Sequence, residues 1–124
     1  MVEMQIKLSA IWVALMLTYL LGDVLRVFAG DVTPGEIGGR AATQGMWLAI
    51  AVIMLVPIVM VVLSLVLPFP AVGWVNIVVV VLVVAFNLVG LPYPGLYDNF
   101  LIVVSFVFNA LTVWYAWTWV SAAA

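Results

Sequence analysis

Four apolar runs constrain this chain more than anything else in it. They cover approximately Leu8 to Phe28, Gly45 to Leu67, Ala71 to Leu91 and Asn99 to Val120, and short stretches rich in Gly, Pro and Asp separate them. Each run is near the ~20 residues that a helix rising 1.5 Å per residue needs to cross ~30 Å of hydrocarbon. None alternates apolar and polar residues as a barrel strand does, so strands are not expected. Only 6% of the residues are charged, against about 25% in soluble domains, and the mean hydropathy is +1.43. The reading is an all-α integral membrane four-helix bundle forming one domain over residues 1–124.

The absence of cysteine and histidine excludes disulfides, thiolate chemistry and the common metal-ligand clusters. Neither a cofactor nor a metal is expected. A net charge of −2 with no basic patch gives no reason to expect nucleic acid as a partner. Membrane lipid is the partner the composition demands, and a homo-oligomer remains open. Residues 1–29 have the outline of a signal peptide, with Val27-Phe28-Ala29 as a tolerable cleavage site. The single Lys7 makes a poor leader for one, so the segment is read as the first span.

Ionisable side chains in a span cost about 2.5–3.5 kcal/mol at the bilayer centre, so those that are present mark pairing, water or use. On helix 1, Trp12, Met16, Tyr19, Asp23, Arg26 and Gly30 alternate steps of four and three and therefore form one stripe. Asp23 and Arg26 can neutralise each other, and Tyr19 stands one turn deeper, where its hydroxyl could reach Asp23. In the link that follows, Thr33-Pro34-Gly35-Glu36 matches a capping box with proline at the first helical position. It predicts a short interfacial helix between helices 1 and 2. Arg40 has no such local explanation.

Helix 2 carries Pro57 near its middle and little else that is polar, so it should face lipid or a neighbouring subunit. The link Pro68-Phe69-Pro70 is short enough to make helices 2 and 3 antiparallel neighbours. Asn76, Asn87 and Gly90 share a face of helix 3. Asp98 or Asn99 should cap helix 4 after the aromatic, proline-rich turn that starts at Leu91. Asp98, Ile102, Ser105, Asn109, Thr112 and Ala116 make one stripe on helix 4, and Trp114, Trp117 and Trp119 suit an interfacial belt.

Alternation of the spans places Asp23, Arg26, Asp31, Glu36, Arg40 and Asp98 at one end of the molecule, leaving Glu3 and Lys7 at the other. Asn87, Ser105 and Asn109 then descend about one, two and three turns below the charged face. The candidate binding residues are Tyr19, Asp23, Arg26, Glu36, Arg40, Asn87, Asp98, Ser105 and Asn109. The plainer account of the Asn, Ser and Thr residues is interhelical glue, typically worth ~0.6 kcal/mol each. One basic residue, Lys7, lies on the side of the termini, against Arg26 and Arg40 on the other. This slight bias puts the charged end in the cytoplasm and leaves room for dual insertion.

The layout resembles small four-span bacterial or archaeal membrane proteins of unknown function. The lines that carry the resemblance are Leu17 to Asp23 (Leu-Thr-Tyr-Leu-Leu-Gly-Asp), Thr33 to Gly39 and the aromatic proline turn before helix 4. It is also loosely similar to DoxX-like four-helix membrane proteins. The resemblance implies a multi-pass protein of a prokaryotic inner membrane and no particular chemistry. Small multidrug transporters are similar in length, but their mid-helix glutamate in the first span has no counterpart, because Asp23 lies too near the helix end.

Three classes of function follow. The first is binding or transport of a small solute through the polar seam. The second is an accessory or structural subunit of a membrane complex. The third is an enzyme acting on a lipid or quinone, with Asp23 or Glu36 as acid/base and Tyr19, Tyr93 or Tyr97 assisting.

Overall fold

The computed structural model describes residues 2–31, 33–37, 40–90 and 95–122. In order these form helix α1 (Val2–Phe28), strands β1 (Glu36–Ile37) and β2 (Arg40–Ala41), and helices α2 (Gln44–Val66), α3 (Ala71–Gly90) and α4 (Leu96–Ala122). All four helices are long and apolar enough to cross a membrane. Most of the proline-rich turn before α4, Leu91 to Pro94 with Tyr93, lies outside the described residues, as do Gly38 and Gly39.

Lipid offers no hydrogen bonds, so the polar side chains turn inward and the large aliphatic ones outward. On α4 the buried residues are Asp98, Ile102, Ser105, Asn109, Thr112, Ala116 and Val120, the stripe read from the sequence extended by one turn. On α2 only Pro57, Met60 and Ser64 are buried, and the rest of that helix is a Val/Ile/Leu surface for acyl chains.

Two local expectations are corrected. The Thr33–Glu36 box does not start a helix. Pro34 and Gly35 occupy the middle of a turn in which Gly35 has φ +86° and the Glu36 N–H donates to the Thr33 carbonyl at 3.0 Å. That is the pattern of a type II turn, which favours proline then glycine at those positions, and it outcompetes the cap. The chain continues into a two-stranded antiparallel hairpin pairing Glu36 with Ala41 and Ile37 with Arg40. The N-cap of α2 is Thr43 instead, whose hydroxyl accepts from the Met46 N–H at 3.2 Å. Likewise α4 begins at Leu96, and the Asn99 N–H already donates to the Gly95 carbonyl at 3.2 Å. Asp98 therefore sits within the first turn and is not the cap.

The helices pack in the order α2, α1, α4, α3, and the ring is incompletely closed. Contacts between α1 and α2, α1 and α4, and α3 and α4 are extensive, whereas α2 and α3 touch over a short stretch only. Despite their short link they are not neighbours along their length. They meet near the link, where Ser64 and Asn76 are hydrogen-bonded and Met60 and Val80 join one core cluster with Trp12 and Leu15.

The link end is also tied from outside. Gln5 Nε2 donates to the Leu67 carbonyl at 3.1 Å and Ser9 Oγ to that of Val61 at 2.9 Å. Phe69 packs on Trp119 and Trp74 on Trp117, with centroids 4.9 and 6.1 Å apart. Between α3 and α4, Gly73 permits a close approach: a Cβ there would lie 2.2 Å from Cγ2 of Val120. Gly73→Ala should cost about 1–3 kcal/mol, the usual range for overpacking. Adding Val120→Ala removes the clashing methyl, so the double variant should melt above Gly73→Ala alone in detergent.

Candidate functional site

The opposite end of the gap between α2 and α3 stays open and forms a cavity of about 400 Å³. Ile53, Met54, Val56 and Pro57 line it from α2, and Val79, Leu82, Val83, Phe86 and Asn87 from α3. Ile102 of α4 lies behind, and Tyr19, Asp23 and Arg26 of α1 form its polar end. The walls are otherwise aliphatic or aromatic.

The polar end is built on the α1 stripe. Arg26 donates through Nη1 to Asp23 Oδ1 at 2.7 Å and through Nε to Asp98 Oδ2 at 2.8 Å. One turn of α1 and the first turn of α4 are thereby fastened by one guanidinium whose fixed fork can hold two carboxylates. The two acids differ in setting. The Asp98 side chain is 3% exposed and Asp23 is 45% exposed, with Arg26 between them at 29%. Asp98 gains further from its place at the positive end of the α4 dipole. Its second oxygen, Oδ1, is buried and has no hydrogen-bond partner among the described residues. Formally the three groups sum to −1.

Tyr19 is bonded across to α3, its hydroxyl accepting from Asn87 Nδ2 at 2.7 Å. Below the cavity the interior closes. Trp12 Nε1 donates to Asn76 Oδ1 at 2.6 Å, while Asn76 Nδ2 donates to the Val72 carbonyl at 2.8 Å and to Ser64 Oγ at 3.3 Å. With Leu15, Met60 and Val80 these residues make a floor. Asn76 is thus the interhelical tie that the sequence suggested.

Ser105 and Thr112 are not such ties. Their hydroxyls donate to carbonyls of their own helix, Ile102 at 2.6 Å and Phe108 at 3.1 Å. A hydroxyl near its own backbone has this local alternative, and spacing alone does not reveal it. Asn109 is 1% exposed, and neither its Oδ1 nor its Nδ2 has a partner among the described residues. It lines a separate apolar hollow between α3 and α4, with Val80, Val84, Phe106 and Val113, away from the polar end. Asn109→Leu keeps the shape and removes both unsatisfied groups, so it should raise stability by about 1–3 kcal/mol, read as a higher melting temperature. A fall would mean that the amide has a partner.

Of the candidates from sequence, Tyr19, Asp23, Arg26, Asn87 and Asp98 come together. Ser105 is buried elsewhere on the α4 stripe, and Glu36 and Arg40 are exposed on the hairpin. Asp31 accepts a hydrogen bond from the Tyr97 hydroxyl, joining the end of α1 to the start of α4. Among the described residues no three His, Cys, Asp or Glu side chains are grouped to hold a metal. The apolar cavity wall was not legible: Ile53, Val79 and Val83 look like any other residue of a spanning run.

Fold and site together define a multi-pass integral membrane protein with an apolar recess headed by an ion-pair cluster. The chain belongs to a Family of unknown function (DUF6326), whose model matches residues 2–123. No curated protein and no solved structure matches it.

Proposed function

We propose that this protein binds a small, largely apolar molecule carrying one polar head, taken from the bilayer into the cleft between α2 and α3. The observation that carries this reading is the cavity itself: about 400 Å³ with aliphatic walls and one polar end. This lies within the ~300–1,000 Å³ range of small-molecule sites. Apolar walls beside the membrane suit a hydrocarbon tail, and Asp23, Arg26, Tyr19 and Asn87 suit the head. Binding is favoured over transport across the membrane because the Trp12–Asn76–Ser64 floor closes the route toward the other face. An accessory role as a lipid-holding subunit is compatible with this reading.

The test is photolabelling in lipid nanodiscs with an alkyl alcohol carrying a diazirine near the chain end. Labels should concentrate on residues 53–57 and 79–87, and Val83→Trp, which fills the cavity, should remove most of that labelling. Labels spread evenly over the lipid-facing surface, unchanged by Val83→Trp, would refute the reading.

A further inference from the structure

We propose that the guest's head is a cation that donates hydrogen bonds, a protonated primary amine on a single alkyl chain; this rests on the cleft-binding reading above. Arg26 is the sole cationic residue lining the cavity among the described residues, and its guanidinium already serves two carboxylates, Asp23 and Asp98, at 2.7 and 2.8 Å. An anionic head would have to share that guanidinium with both acids while facing a cluster whose formal charge is −1. Repulsion of that kind is amplified where apolar walls lower the local dielectric constant.

The cavity lining also carries acceptors. Asp23 is the more exposed of the two acids and gives only Oδ1 to Arg26. Asn87 is 6% exposed and lines the cavity, and its Nδ2 is committed to Tyr19 while its Oδ1 accepts nothing among the described residues. A turn or more along α2, Pro57 lacks the N–H that would otherwise meet the Ile53 carbonyl, and both residues line the same cavity. A carboxylate oxygen, an amide oxygen and a freed carbonyl on residues of one cavity wall suit a donor. An ammonium supplies three donors and the missing positive charge.

Three probes with the same tail separate the possibilities: dodecylammonium, dodecanol and dodecanoate, each competing against the diazirine alcohol in phosphatidylcholine nanodiscs. Dodecylammonium should displace the label at a mole fraction about tenfold lower than dodecanoate, with dodecanol between them. Asp23→Asn should abolish the advantage and Asp23→Glu should keep it. Because Arg26 stays bonded to Asp98 in both variants, their melting temperatures serve as the control for folding. If the label maps to the cleft but the three probes compete equally, or dodecanoate competes best, the charge preference is wrong and cleft binding stands. If the label never maps to the cleft, both fall.

Discussion

Arg26→Met should be among the most damaging single substitutions in the protein, lowering stability by about 3–5 kcal/mol, the cost of stranding one member of a buried ion pair. The stranded member is Asp98, whose side chain is 3% exposed and whose Oδ1 already has no partner. The reverse deletion should be milder. Asp98→Leu leaves Arg26 at 29% exposure and still bonded to Asp23, a pair of the semi-exposed kind worth roughly 1 kcal/mol or less. Replacing both, Arg26→Met with Asp98→Leu, should recover most of the loss, since a buried pair exchanged for apolar side chains is often neutral or stabilising. Thermal melts of the four proteins in one detergent give the cycle. Equal losses from the two single changes would show that Asp98 is not the dependent partner.

Trp12→Ala should cost a similar amount, about 3–5 kcal/mol for a large aromatic removed from a packed interior. Trp12 is fully buried between Leu15, Met60 and Val80, and its indole N–H donates one of the hydrogen bonds that fix Asn76. Trp12→Phe separates the two contributions. It keeps most of the ring's contacts and loses the 2.6 Å bond, while Asn76 retains Ser64 and the Val72 carbonyl, so about 0.5–1.5 kcal/mol is expected. A Phe variant as unstable as the Ala variant would mean that the hydrogen bond, not the packing, holds the floor.

Much of this arrangement is legible in the sequence. The step pattern of α1 placed Tyr19, Asp23 and Arg26 on one face, and the α4 stripe from Asp98 to Ala116 is buried as its spacing implied. These readings succeed because hydrocarbon penalises outward-facing polar groups so heavily that rotation of each helix is nearly dictated by them. Other features depend on relations that one helix does not encode. The bridge from Arg26 to Asp98 needs α1 and α4 to be adjacent, whereas the sequence offered only the local Asp23 pair. The incomplete closure between α2 and α3 was hidden because a short link suggests neighbours and says nothing of how far they diverge. Asn109 lies away from the head group for a related reason: its face points into the α3–α4 seam. The hairpin at Glu36–Ala41 was missed where two local motifs, a cap and a proline–glycine turn, competed for the same four residues.

The gap between α2 and α3 faces sideways, and this changes what concentration means for anything that enters it. On the proposed reading a guest reaches the site by two-dimensional diffusion after dissolving in the leaflet, so occupancy should follow its abundance relative to lipid and not its level in the surrounding water. Diluting a proteoliposome suspension with buffer should therefore leave a strongly partitioning guest in place, whereas adding empty vesicles should draw it out.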